Sequence, residues 1–226
     1  DTFRLRGGPA HGAVVEFIRS PEGKVKSIKA GDFEILRVEE GQRAEIPVVG
    51  RFPAPEMVMT PEKEQAFQAL LDAVLAGRGD WIDYTLPYPK YEFVEYVKNQ
   101  RVAIFHGTGD FEIEEFIPLR SSTELYDTTG RGNKLAVYGT HEGLWAMFFA
   151  VVDRKNITGS IRNGVSYFYN QAGKELALYN FSINQDYLDK HPWRTGALYI
   201  LPRAPFRRLM LTEDAYANEW ACEENV

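Results

Sequence analysis

Three short stretches of this chain bring together residue types that do chemistry. In the first, Ile104-Phe105-His106-Gly107-Thr108-Gly109, an apolar strand from Val102 to Phe105 runs straight into His-Gly-Thr. An imidazole offers both a donor and an acceptor, so His106 can hold a hydroxyl group. Gly107 has no side chain, so its backbone amide and carbonyl can approach a ligand closely. The second is Leu135-Ala136-Val137-Tyr138, a strand that ends on an aromatic and breaks at Gly139-Thr140 into a helix from Glu142 to Val152. The third, Ala217-Asn218-Glu219-Trp220, sets an acid beside an aromatic. Read from the residues alone, each has an ordinary alternative. His-Gly-Thr also suits a turn after an edge strand. Trp145, Phe148 and Phe149 also suit the core side of a helix. Glu219, with Glu213, Asp214, Glu223 and Glu224 nearby, also suits a solvated surface.

Strand-His-Gly-Thr, then strand-Tyr-turn-helix, then Asn-Glu-aromatic is an ordered set. Over roughly residues 99–226 it resembles ADP-ribosyltransferases of the poly(ADP-ribose) polymerase and diphtheria-toxin type. The resemblance implies that NAD is the co-substrate, that nicotinamide leaves, and that ADP-ribose passes to a nucleophile on a target. It implies a catalytic set of His106, Tyr138 and Glu219 whose side chains converge on one cleft. His106 would grip a ribose hydroxyl, Gly107 would meet the nicotinamide carboxamide, Thr108 would join them in binding the cofactor, and Tyr138 would pack on the nicotinamide ring. Glu219 would be the acid that meets the positive charge building on the ribose.

The same resemblance extends to neighbouring positions. Eight and eleven residues after Tyr138, polymerase-like enzymes place a small hydroxyl residue and a second stacking aromatic; here these are Ala146 and Phe149. Phe149 can stack, whereas Ala146 cannot hydrogen-bond the carboxamide. His141 resembles the second histidine of RNA 2′-phosphotransferases, which share the fold. Ala217 stands where arginine- or guanine-modifying relatives often carry Glu or Gln. Residues 120–134, rich in Ser, Thr, Gly and Asp, read as a mobile loop. In the family such a loop covers NAD, so Arg120 or Arg131 would pair with its pyrophosphate.

The elements that must position these residues follow from local pattern. Residues 3–52 hold short Val- and Ile-rich runs, FRLR, AVVEFI, KVKSI, FEILRV and AEIPVV, parted by Gly7-Gly8-Pro9, Pro21-Glu22-Gly23, Gly31-Asp32 and Glu40-Gly41. They predict a small antiparallel sheet. Thr60 and Pro61 open a helix over 61–76, with Glu62 and Glu64 in its first turn and Gly77 as its stop. Its apolar face is Phe67, Leu70, Leu71 and Val74. Residues 81–96 are rich in Tyr and acids, and Pro87 and Pro89 predict irregular structure there. This is read as the connection between a β-rich accessory domain, 1–95, and a catalytic domain, 96–226. LALYNFSI (176–183) and ALYILP (197–202) predict strands of the second domain. The fold expected is α+β: an ADP-ribosyltransferase-like two-sheet domain after a small β-rich one with one helix.

Composition narrows the function classes. The chain of 226 residues has net charge −6, 44% apolar and 13% aromatic residues. Residues 1–98 and 99–226 each carry 13 basic and 16 acidic side chains, so neither half is a basic nucleic-acid module by bulk charge. Arg203, Arg207 and Arg208 form a local basic cluster, either a solvated face or a contact for the target. No apolar run approaches a membrane span, and the start shows no signal-peptide pattern. The single cysteine, Cys222, excludes an intrachain disulfide and a cysteine-based zinc site, and suits a reducing cytoplasm. The expectation is an NAD-dependent ADP-ribosyltransferase without a metal, a toxin or phage-conflict effector. Its partners would be a nucleic-acid or protein acceptor and an antitoxin or regulatory protein, with no membrane. The rivals are an RNA 2′-phosphotransferase using His106 and His141, and a partner-binding domain without catalysis.

Overall fold

A computed structural model describes residues 2–4, 14–30, 33–36, 51–77, 79–121, 134–154, 161–169, 175–183, 187, 190–212 and 215–226. At the start of the chain β1 (Thr2–Arg4), β2 (Val14–Arg19), β3 (Val25–Ala30) and β4 (Phe33–Leu36) pair in that order, all antiparallel. This is the small sheet that the alternating runs predict. The AEIPVV run, 44–49, lies outside the described residues.

The next elements are β5 (Arg51–Pro53) and α1 (Pro61–Ala76). Thr60 is extended and its hydroxyl accepts the Lys63 N–H at 3.3 Å, while Pro61 opens the helix. Gly77 closes it, its N–H donating to the carbonyls of Ala73 and Val74. The segment expected to be irregular is instead helical from residue 90: α2 spans Lys90–Gln100. Pro89 stands at its N-cap, where a missing N–H forfeits no intrahelical bond. Phe93, Val94, Tyr96 and Val97 then bury against α1 and the sheet below. The helix ends on Arg101 at φ 56, a left-handed conformation uncommon outside glycine.

The domain boundary expected at 95/96 falls inside α2. Phe67 of α1 meets Phe93 edge-on at 5.6 Å and belongs to a core with Phe105 and Ala146. β5 pairs with a strand much later in the chain, through Tyr179↔Phe52. Residues 51–100 thus share their packing with the region that follows.

That region contains β6 (Ala103–Thr108), β7 (Arg120–Ser121), β8 (Leu135–Thr140), α3 (Gly143–Val151), β9 (Ile161–Tyr169), β10 (Glu175–Ile183), β11 (Ala197–Pro202), β12 (Arg207–Thr212) and β13 (Ala215–Cys222). The larger sheet runs β11-β6-β8-β13-β12, with β7 beside β8, and the smaller runs β5-β10-β9. Helix α3 lies between them. Its Phe148 ring stacks on Phe181 of β10 at 4.7 Å, and Trp145 Nε1 donates to Asn163 of β9 at 2.6 Å. On the other side α3 lies directly on β6: a Cβ added at Gly107 would come 1.8 Å from the Ala146 carbonyl oxygen. The architecture is mixed α+β. No helix among the described residues is long and apolar enough to cross a membrane.

Candidate active site

The strands that carry the three motifs, β6, β8 and β13, are consecutive in one sheet. β6 extends past the apolar run through Thr108, because β11 holds it there by His106↔Tyr199, Gly107↔Leu198 and Thr108↔Ala197. On its other edge β6 meets β8 at Phe105↔Thr140. β8 in turn meets β13 from Glu219↔Thr140 to Cys222↔Val137. Phe105, Thr140 and Glu219 therefore form one row across three strands.

Beyond that row β6 and β8 part. The His106 Nδ1 sits 2.7 Å from the Tyr138 carbonyl oxygen, where a backbone ladder would otherwise run. β7 pairs with β8 further on, at Ala136 and Leu135. A carbonyl oxygen only accepts, so Nδ1 carries a proton, and in the neutral ring Nε2 is the acceptor nitrogen. Phe116 packs edge-on to the imidazole at 4.9 Å and to Tyr199 at 5.0 Å.

Strand alternation corrects the expectation that all three side chains converge on one cleft. His106 shares a face with Tyr199, its register partner and fellow contact of Phe116. Glu219 lies between Ala217 and Ala221, which cluster with Ala136, Leu209 and Tyr138 on the opposite face. Tyr138 and Glu219 thus share one face, and His106 starts from the other. The Tyr138 hydroxyl donates to the Lys134 carbonyl and accepts the Lys134 N–H, which holds the ring in place.

The remaining expected residues scatter. The space beside Gly107 is filled by α3, so only its backbone groups are available to a ligand. Thr108 Oγ1 accepts the Asp110 N–H at 3.2 Å. Phe149 packs with Trp145 and Phe148 at 6.0 and 5.8 Å, under the Arg154 guanidinium at 5.2 Å, on the side of α3 that meets the smaller sheet. Ala146 is core. The Arg120 backbone belongs to β7; its side chain and all of Arg131 lie outside the described residues.

A buried polar cluster, absent from the sequence reading, sits where α2, the β8–α3 junction and the smaller sheet meet. Glu142 is fully buried. It pairs with Lys98 Nζ at 2.9 Å and accepts the Tyr179 hydroxyl at 2.6 Å and the Tyr167 hydroxyl. Lys98 also reaches Glu95 at 3.3 Å. Burial alone would raise the Glu142 carboxyl, but the Lys98 ammonium and the two phenol donors together hold it below the usual carboxylate range. Burial dominates at Glu95 and pushes it up. Tyr179 is driven far up by burial and both carboxylates, so it stays a donor. The clue in the sequence was Glu95 and Lys98 embedded among apolar residues at helical spacing.

His141 joins this cluster to β13. Trp220 Nε1 donates to its Nδ1 at 3.2 Å, which puts the ring proton on Nε2, facing Tyr167 and Glu142. Burial pushes His141 down, so it is neutral. Beside Trp220 opens a groove of about 540 Å³ lined by Arg101, Arg203, Arg207 and Arg208. Neither it nor the adjoining groove is lined by His106, Tyr138 or Glu219. Among the described residues no three His, Cys, Asp or Glu side chains cluster as a metal site requires. No protein-family model, curated protein or solved structure matches the chain.

Proposed function

We propose that this chain is an NAD-dependent ADP-ribosyltransferase whose reacting centre lies at the fork between β6 and β8. The observation that carries the reading is the adjacency of the three motif strands, with the His106 imidazole at the point where the first two part. The Nε2 lone pair of His106 accepts a ribose hydroxyl. The backbone of Gly107 and Thr108 receives the carboxamide. Glu219 is assigned the negative charge that meets the developing cation by the resemblance alone, since its side chain lies on the sheet face away from His106. The bond that breaks joins the nicotinamide nitrogen to ribose C1′, and its electron pair leaves with nicotinamide. The bond that forms joins C1′ to an acceptor atom, which gives up a proton. Phe149 is committed to packing between α3 and the smaller sheet, and Tyr138, on the Glu219 face, is the aromatic that the resemblance assigns to the ring.

The acceptor we propose is a macromolecule, nucleic acid or protein, and the biological setting that of a toxin held in check by an antitoxin. That setting rests on the resemblance alone. The test is incubation with NAD labelled in its adenylate half and a cell lysate, split afterwards between nuclease and protease. Label should enter macromolecular material and be released by one of the two treatments. Label that stays in NAD under all conditions overturns the proposal.

A further inference from the structure

We infer that the arginine-lined groove beside Trp220 binds the backbone of a single-stranded nucleic acid. The chain carries net charge −6, yet this groove is lined by four arginines and by no acidic residue. Arg101, Arg203 and Arg207 reach neutral oxygens or none: Arg203 touches the Arg101 carbonyl at 3.5 Å, and Arg207 donates to the carbonyls of Ala204 and Phe206 at 2.9 and 3.1 Å. Among the described residues none of these three is in an ion pair. Like-charged guanidinium groups brought close together repel one another, and a phosphate satisfies their fork geometry.

Two features favour a strand over a lone anion. The groove does not end at Arg207 and Arg208: both also line a second depression of about 460 Å³, whose far end holds Glu223, Glu224 and a Lys134 paired with Glu223. Successive phosphates of a chain can follow the arginines from Arg101 to the Arg207–Arg208 edge that the two depressions share, short of the carboxylates; a single anion uses one position. The Arg203 guanidinium lies 4.9 Å over the Trp220 ring, which offers a flat cationic surface for a base to stack on. Paired bases in a duplex hide that surface, so the substrate is single-stranded. Arg101 enters the groove only because α2 ends in a left-handed turn, a conformation that sequence position does not foretell. This inference concerns binding and stands independently of NAD chemistry.

The test is fluorescence anisotropy with a labelled oligothymidylate and an oligouridylate of about 12 nucleotides, a matching duplex, and a polyglutamate peptide. A parent that binds the single strands, with a combined Arg101→Ala, Arg203→Ala, Arg207→Ala variant that does not, supports the inference. Three phosphate contacts lower the salt exponent by roughly 2 on their removal, so a fourfold rise in salt should weaken the parent about twentyfold more than the variant. Should the triple variant melt early, Arg207→Glu, on an exposed side chain, reads the same effect. Equal binding by parent and variant overturns the inference. So does tighter binding of the duplex, or of polyglutamate, which would make the groove a duplex or protein contact. Either result leaves NAD labelling untouched as a separate question.

Discussion

The imidazole of His106 and the carbonyl of Tyr138 are joined by a hydrogen bond 2.7 Å long, and that bond stands in for the ladder that β6 and β8 do not form beyond Phe105↔Thr140. It fixes the histidine tautomer and the width of the fork together. His106→Asn keeps an N–H donor near the Nδ1 position and removes Nε2. Its stability should stay close to the parent while NAD turnover falls. His106→Ala loses the bond as well, at about 1 kcal/mol of stability. Thermal melts beside nicotinamide release separate the two. An Asn variant with full turnover would remove Nε2 from the chemistry.

Glu219→Gln retains size and most hydrogen bonding but removes charge. A preorganised contact to a developing cation is worth on the order of 3 kcal/mol, roughly a hundredfold in rate or more. NAD binding, read by calorimetry, should change much less. Undiminished turnover in the purified variant would mean that Glu219 is not the acid.

Gly107→Ala tests whether the glycine serves the fold or a ligand. The new Cβ would meet the backbone oxygen of Ala146 at 1.8 Å, and a backbone atom in a helix has little room to yield. Overpacking of this kind costs about 1–3 kcal/mol or more. Gly196→Ala, with Ala150 O at 2.0 Å, should behave alike. A melting temperature unchanged at Gly107→Ala, with NAD binding lost, would show that the space belongs to the ligand.

The Glu95, Lys98 and Glu142 cluster sets a pH dependence. Glu142 is held below its unfolded value near 4.3, so its contribution is full above about pH 4.3 and is lost as pH falls through the folded value. Lys98 is raised despite burial because both carboxylates hold its charge, so its share is full below about pH 10.4 and lost as pH climbs through the folded value. Glu95, pushed up by burial, works the other way and weakens the fold as pH rises past its unfolded value. Lys98→Met should cost about 3–5 kcal/mol at neutral pH, because it strands Glu142 in the core. Without Lys98, burial raises Glu142, so the gap between variant and parent should narrow as the solution is acidified. Urea denaturation across a pH series measures it, and a gap independent of pH would sink the account.

What was legible in the sequence was local. Thr60-Pro61 and Gly77 bound α1 because capping depends on a few adjacent backbone groups. The alternating runs at 176–183 and 197–202 fall in β10 and β11, and those at 14–36 in β2 to β4. Helix α2 departs from the expected irregular segment for an equally local reason: prolines in the sequence before a helix and prolines inside an irregular stretch look the same until the N-cap is known.

The sequence by itself determined which residues sit on which motif, that the elements are mixed α and β, and where the apolar faces lie. Only the tertiary structure decided how far β6 runs, since its last residues are held by β11, far along the chain. Only register decided that Glu219 joins Tyr138 on one face while His106 starts from the other, because side-chain direction has a period of 2 and one step reverses it. The pairing of Lys98 with Glu142, and the meeting of Arg101 with Arg203, Arg207 and Trp220, are likewise contacts between distant segments. Local pattern carries no record of them, because they exist only once packing has brought α2 beside α3 and the end of α2 beside β12 and β13.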